Sequence, residues 1–317
     1  MCKRAVCKAF LRRWNKMYDL IIAGSGPAGL TAAIYACRSG LKTLLIERAF
    51  AGGQMAISHM IDNYPGFENE VTGAALANSM KLQAQKSGAD MVTEEIKSFE
   101  LTGETKKVAT SKNTYEAKSV ILAMGAEPKR LCIPGEEEMI GAGVSYCATC
   151  DGAFFKDGEV AVIGGGNTAV EDALYLAKFC KKIYLVHRRD QFRASPSLVE
   201  AAQKLDNIEF VLNSIPLSVN GEYTVQSLSV KHNDTGEERQ IFVTGVFFAV
   251  GQIPKTKLVA GQVELDEGGY IKSDEGCKTN LPNVFCAGDI RSKPLRQIVT
   301  AVADGAVAAT AALGFEI

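Results

Sequence analysis

A short, unbroken apolar run that ends in a glycine-rich loop occurs twice along this chain. Tyr18–Ala23 leads into Gly24-Ser25-Gly26-Pro27-Ala28-Gly29, and Val160–Ile163 leads into Gly164-Gly165-Gly166-Asn167-Thr168-Ala169. Apolar runs of this length without alternation predict strands buried on both faces, as in a parallel sheet. Behind the first loop a helical pattern covers Pro27–Arg38, and a second strand follows at Thr43–Glu47. Behind the second loop the same order returns as helix Thr168–Phe179 and strand Lys182–His187. Each set is a βαβ unit. Elsewhere the spacing predicts a helix over Thr72–Gln85 and a small-residue helix over Gln297–Leu313. Alternation predicts strands at Ile96–Leu101, Lys107–Ser111, Ser119–Met124, Ser227–Lys231 and Gln240–Val250, and an apolar run predicts another at Val284–Ala287. The fold class is α/β, with two related, Rossmann-like dinucleotide-binding domains.

Gly125-Ala126-Glu127-Pro128 reads as a linker and Gly251-Gln252-Ile253-Pro254 as the return crossing, because Gly and Pro punctuate both. A chain of 317 residues is long for one core, which agrees with two domains. A net charge of −1 supplies no field for nucleic acid or an anionic membrane. No apolar run approaches the ~20 residues that a membrane helix needs. The nine cysteines are an odd number, mostly scattered singly, unlike a secreted disulfide framework. A reducing, cytoplasmic location is expected, with isolated cysteines such as Cys37 serving as small buried hydrophobes. Residues 1–16 carry Lys3, Arg4, Lys8, Arg12, Arg13 and Lys16, no acidic residue and no apolar core of a secretory signal. They are expected to be a disordered basic extension; Met17, just before the first strand, offers a second possible start.

A lone glycine motif is a weak signal, but here both copies have a strand before and a helix after. The glycines allow a tight turn and close approach of a pyrophosphate, whose charge suits a helix N-terminus. Glu47 follows Gly24 at the interval at which His187 follows Gly164, so the two units are in register. Glu47 offers a carboxylate to ribose hydroxyls, as for FAD or NAD. His187 instead opens a stretch with Arg188, Arg189 and Arg193 and no carboxylate at the matching place. Three guanidiniums there suit a 2′-phosphate, so the first site is FAD-like and the second NADPH-like.

Between the loops lies Cys147-Ala148-Thr149-Cys150-Asp151. A zinc site needs about four ligands, and no second Cys or His pair has suitable spacing. A static disulfide would be unusual in the cytosol, and the polar segment does not read as a core strand with packing cysteines. A redox-active pair is the reading favoured over these three. Two thiols this close allow one to attack and the other to resolve. The neighbouring Asp151 is placed to exchange a proton and neutralise a leaving thiolate.

Together these residues resemble the bacterial-type, low-molecular-weight thioredoxin reductases. The likeness runs from Met17 onward. It covers both glycine loops, Gly52-Gly53-Gln54, Cys-Ala-Thr-Cys-Asp-Gly at 147–152, His-Arg-Arg-x-x-x-Arg at 187–193, Ala-Gly-Asp at 287–289 and Arg296-Gln297. It implies an FAD-binding domain in two parts, 17–126 and 253–317, with an NADPH-binding domain, 127–252, inserted and carrying the dithiol. It implies that Cys150 faces the flavin, Cys147 attacks the disulfide of thioredoxin and Asp151 is the acid. Gln54, Asn63, Asp289 and Gln297 would contact the flavin, with Gly53 and Arg296 in the same motifs. The second loop would hold NADPH through Gly164, Gly166, Asn167, Thr168 and Ala169, and through His187 and the three arginines. A homodimer is also implied, together with a domain rotation during turnover for which Gly125–Pro128 and Gly251–Pro254 are the expected hinges.

The chain departs from the family pattern at Met124 and at Gln252, neither within the dithiol motif. Three other readings stay open at this point: reduction of a glutaredoxin-like or peroxidase-linked partner, a flavin-dependent dithiol oxidase of a small molecule, and a flavoprotein sensor. The arginine cluster argues against the oxidase, which needs no NADPH.

Overall fold

The computed structural model describes residues 17–314 except His59 and Glu70, so the basic segment 1–16 lies outside the described residues. The chain divides into two compact units, Met1–Glu127 with Ile253–Ile317, and Pro128–Gln252. In chain order the first part of unit 1 contains β1 (Tyr18–Ala23), α1 (Pro27–Arg38), β2 (Thr43–Glu47), a 3₁₀ turn (Gly53–Ile57) and α2 (Gly73–Lys86). It continues through β3 (Asp90–Thr93), β4 (Ile96–Glu100), β5 (Lys106–Thr110), β6 (Thr114–Leu122) and the short β7 (Ala126–Pro128). Unit 2 opens with β8 (Val144–Ser145), α3 (Ala148–Asp151), a 3₁₀ turn (Gly152–Phe155), β9 (Glu159–Ile163), α4 (Asn167–Leu176), β10 (Lys182–Val186) and α5 (Pro196–Gln203). It ends with β11 (Ile208–Val211), β12 (Ser214–Asn220), β13 (Ser227–His232), β14 (Glu238–Phe242) and β15 (Gly245–Phe248). The chain returns through β16 (Gln252–Pro254), β17 (Val284–Cys286) and α6 (Ile298–Ala312).

The main sheet of unit 1 has the order β3-β2-β1-β6-β5-β4, with β17 also on β6. Its β3-β2-β1-β6 half is parallel, while β5 and β4 are antiparallel additions. β1 is covered on both sides. Leu20 and Ile22 join a core shared with α1, α2 and α6, and Ile21 and Ala23 join the core on the opposite face. That double burial is why the sequence there reads as a continuous apolar run.

β6 begins five residues before the strand expected at Ser119–Met124, because its two halves face different surroundings. Over Thr114–Ala117 it pairs antiparallel with β5 and buries alternate residues. Over Val120–Leu122 it lies between β1 and β17 and is buried throughout.

Unit 2 is a parallel sheet ordered β11-β10-β9-β15-β8, plus an antiparallel sheet β12-β13-β14. Val160, Val162, Ile183 and Leu185 pack with α4, while Ala161, Ile163, Tyr184 and Val186 pack with Val219, Leu228 and Ile241 of the antiparallel sheet. The single strand expected over Gln240–Val250 is two strands, β14 and β15. At Val243 and Thr244 the chain leaves one sheet for the other, where the Thr244 amide donates to the Glu159 carbonyl (2.9 Å). The strands β3, β11 and β12 and the helix α5 lie outside the elements that the sequence pattern predicts. Among the described residues no helix is long and apolar enough to cross a membrane.

Candidate active site

The first loop turns β1 into α1, with Gly26 as N-cap and Pro27 in the first turn. A Cβ on Gly29 would lie 1.9 Å from the Gly24 carbonyl oxygen, so helix and loop can touch only through glycine. Ala28 is buried behind the turn. Glu47, at the end of β2, is tied to this loop: its Oε2 accepts from the Ser25 amide (2.9 Å) and hydroxyl (2.7 Å). Its Oε1 accepts from the amides of Arg48 (2.7 Å) and Ala49 (3.2 Å). The carboxylate is thereby oriented at the mouth of the loop before any ligand arrives. Gly53 lies against Gly26, and the Gly52 amide donates to the Ser25 carbonyl (2.8 Å). Gln54 is exposed in the following 3₁₀ turn.

Residues far apart in sequence meet in the same unit. Asn63 Nδ2 donates to Gln297 Oε1 (3.4 Å), and Gln297 caps α6 in a reciprocal pair with Thr300. Arg296 lies over the Tyr270 ring, 3.9 Å from its centroid, and its Nε donates to the Asp289 carbonyl (3.4 Å). Asp289 Oδ1 is buried without a hydrogen-bond partner. Burial pushes this carboxyl up from its ordinary value, against the pull of Lys293 and Arg296.

The turn carrying Asp289 is braced by a residue that sequence reading passed over. Asp304 of α6, 8% exposed, accepts from Arg291 (2.7 Å), Lys293 (2.8 Å) and the Gly288 amide (3.0 Å). Replacing it strands two largely buried cations. Asp304→Ala is expected to lower stability by about 3–5 kcal/mol, measured as the denaturant midpoint of the purified protein. A change below about 1 kcal/mol, the worth of an exposed pair, would show that the network carries little load.

In unit 2 the second loop turns β9 into α4, with Gly166 as N-cap. Gly164 and Ala169 are buried and in contact range, Asn167 accepts the Ser195 amide (2.9 Å) through Oδ1, and Thr168 is exposed. His187 is turned inward, 6% exposed. It stacks on Phe192 (centroids 5.0 Å apart), bonds the Gln191 carbonyl through Nε2 (3.1 Å), and lies so close to Gly165 that a Cβ there would sit 2.0 Å from the ring. Burial draws the imidazole below its ordinary value; the Gln191 carbonyl opposes this, and the three nearby arginines reinforce it. Arg188, Arg189 and Arg193 are exposed, and among the described residues none is in an ion pair. Their backbone is pinned: Arg193 N donates to the Gly165 carbonyl (2.7 Å), Asn233 Nδ2 to the Arg188 carbonyl (2.8 Å) and Asn213 N to the Arg189 carbonyl (3.2 Å). The asparagines reach the loop from other strands' ends, a signal that no local spacing carries.

Cys147 and Cys150 are joined as a disulfide, with Cα atoms 5.3 Å apart. Cys147 caps the one-turn α3, and its carbonyl accepts from the amides of Cys150 (3.2 Å) and Asp151 (3.1 Å). Asp151 Oδ2 accepts from the Ser145 hydroxyl (2.5 Å). The other thiols differ in kind. Cys180, Cys277 and Cys286 are buried, and burial pushes them up to about 11, 12 and 11, so they remain neutral packing groups. Cys37, expected to be buried, is only half-buried at the end of α1, and Cys132 is exposed. No group of three or more potential metal-ligating side chains occurs among the described residues.

The pyridine nucleotide-disulphide oxidoreductase family profile matches residues 18–305. A thioredoxin reductase from Peptoclostridium acidaminophilum is 49% identical over 304 residues, covering 94% of this chain and 96% of that protein. A thioredoxin reductase from Bacillus subtilis (strain 168) is 44% identical over 296 residues, covering 93% of each. The crystal structure of thioredoxin reductase from Streptococcus pyogenes MGAS5005 superposes with a TM-score of 0.90 at 42% identity, over 95% of this chain and 98% of that one.

Proposed function

This chain belongs to the pyridine nucleotide-disulphide oxidoreductase family, and we propose that within it the protein is a thioredoxin-disulfide reductase using NADPH and FAD. The observation that carries the reading is the Cys147–Cys150 disulfide closing one helical turn, followed at once by a carboxylate. It stands in the same unit as a nucleotide loop that presents three unpaired guanidiniums.

Unit 1 fits FAD. Gly26 has open space beyond its Cα at the α1 N-terminus, where a pyrophosphate would lie, and Glu47 is oriented for a ribose. Asp289 Oδ1, buried without a hydrogen bond and 3.8 Å from the Lys293 ammonium, suits a hydroxyl donor such as a ribityl group. Gly24 through Gly29, Gly53, Gln54, Asn63, Arg296 and Gln297 complete the proposed flavin set. In unit 2, Gly164, Gly166, Asn167, Thr168 and Ala169 would receive the NADPH pyrophosphate, and Arg188, Arg189 and Arg193 its 2′-phosphate. His187 would serve as the packed floor of that loop. When bound, FAD supplies hydride acceptance from the nicotinamide and delivery of the electron pair to the disulfide.

The dithiol chemistry then belongs to the protein. The Cys147 thiolate attacks the disulfide of the partner, forming a mixed disulfide and expelling one partner thiolate. Cys150 attacks Cys147 Sγ, restoring the intramolecular disulfide and expelling the second. Asp151 gives a proton to a leaving thiolate and regains one from the thiol of Cys150. Two electrons and, by way of Asp151, the Cys150 proton pass to the partner, whose second thiolate takes its proton from solvent. Thioredoxin as that partner is supported by the likeness to the named relatives; a homodimeric state and a cytoplasmic location complete the proposal.

The test is NADPH oxidation by the FAD-loaded protein with thioredoxins and glutaredoxins from the same cell. Thioredoxin-dependent oxidation with little response to glutaredoxins is expected. A response to glutaredoxins alone would replace the partner, and thiol oxidation that consumes oxygen without NADPH would replace the reaction.

A further inference from the structure

We propose that Ser145 is a positioning residue for the proton chemistry of the dithiol, holding the Asp151 carboxyl so that its proton is carried on Oδ1. This rests on the reading of Asp151 as the acid.

Ser145 ends β8, a strand of two residues held by β15 through the Phe247–Ser145 pair. It is 4% exposed, so its hydroxyl must find partners within the protein. The Oγ accepts the Cys147 amide (3.0 Å) and the hydroxyl donates to Asp151 Oδ2 (2.5 Å). A contact with the Cys147 carbonyl is longer, 3.3 Å. A serine has one hydroxyl proton, and the shorter bond to a charged acceptor takes it. Ser145 therefore grips both ends of the redox turn, the backbone at Cys147 and the side chain at Asp151.

The consequence lies in which carboxyl oxygen does the work. Free to rotate, a carboxylate presents two equivalent oxygens to the thiols. With Ser145 donating to Oδ2, that oxygen is an acceptor whether the group is ionised or neutral, and the exchangeable proton resides on Oδ1. The carboxyl then gains and loses its proton without turning, and the serine is neither oxidised nor deprotonated. In each turnover Asp151 passes one proton to a leaving partner thiolate and recovers one from Cys150, leaving the balance of the exchange unchanged. A hydroxyl donating to a carboxylate also favours its ionised form, so removing the hydroxyl makes the acid hold its proton to higher pH.

The experiment compares the FAD-loaded wild type, Ser145→Ala, Ser145→Thr and Asp151→Asn. Each is assayed for thioredoxin reduction across pH and for NADPH-dependent reduction of ferricyanide, which takes electrons without the dithiol. Ser145→Ala is expected to lower kcat with thioredoxin about tenfold, the size of one hydrogen bond to a charged group. Its alkaline limb should move to higher pH, with KM for thioredoxin and the ferricyanide rate unchanged. Ser145→Thr should restore both kcat and the limb. A fall in kcat with an unmoved alkaline limb, or a parallel fall in the ferricyanide rate, would reduce Ser145 to a structural residue and overturn the proposal. If Asp151→Asn kept full turnover and its pH profile, the acid assignment itself would fall. If Asp151→Asn lost turnover while Ser145→Ala matched the wild type, only the role of Ser145 would fall.

Discussion

Changing Cys150 to serine should abolish thioredoxin reduction, with a loss of at least about a thousandfold in kcat, while FAD binding and NADPH-dependent ferricyanide reduction persist. The size follows from covalent chemistry. A hydroxyl cannot form a disulfide with Cys147, so the step that restores the intramolecular bond has no substitute. The substitution is nearly isosteric, and the turn that holds the pair is built from backbone bonds, the amides of residues 150 and 151 donating to the Cys147 carbonyl. The fold should therefore survive, and the loss can be read as chemistry. Cys180, Cys277 and Cys286 cannot stand in, since burial keeps them protonated. A variant retaining more than a tenth of wild-type thioredoxin turnover would remove Cys150 from the mechanism.

The second large effect is on nucleotide choice. Arg188→Ala with Arg189→Ala is expected to raise the KM for NADPH about a hundredfold to a thousandfold, taking roughly 1.5–2 kcal/mol for each exposed charge-assisted contact. The KM for NADH should move by less than about threefold, since NADH has no 2′-phosphate for a guanidinium to hold. The loop should keep its shape, because Asn233, Asn213 and Gly165 hold it through backbone atoms that the substitution leaves in place. Steady-state kinetics with both nicotinamides decides it. Equal use of NADPH and NADH by the unaltered protein, or parallel losses with both in the variant, would show that these arginines do not read the phosphate.

The parts of the fold that could be read from sequence are those whose surroundings are uniform. β1, α1 and β2 have the expected bounds because β1 is enclosed on both faces and the glycine loop punctuates its end. β6 was recognised only from its fully buried half, since the alternating half beside β5 gives a weaker pattern. Gln240–Val250 looked like one strand because apolar periodicity says nothing about which sheet a residue joins. α5 carried its own signal, Ser195 before Pro196 at a helix start, which the neighbouring arginine cluster overshadowed.

The candidate site divides in the same way. Glycines, the cysteine pair and the arginines announce themselves by type and spacing. Ser145 and Asp304 do not, because their importance lies in partners brought near by folding: a carboxylate six residues further on, and two cations on a separate loop. His187 shows the converse. Its place in the motif suggests a ligand-facing side chain, yet the ring is packed inside the loop, against Gly165 and Phe192.

The division of unit 1 between the two ends of the chain also sets an order on biosynthesis. As the polypeptide leaves the ribosome, β17 cannot join β6, nor α6 cover α1, until residues beyond 283 have been made. Unit 2 is continuous from Pro128 to Gln252, so every one of its strands is available before then. The nascent chain thus carries a completed dithiol-bearing body while its own N-terminal half still lacks a strand and a helix. Asn63 waits for Gln297 across most of the message.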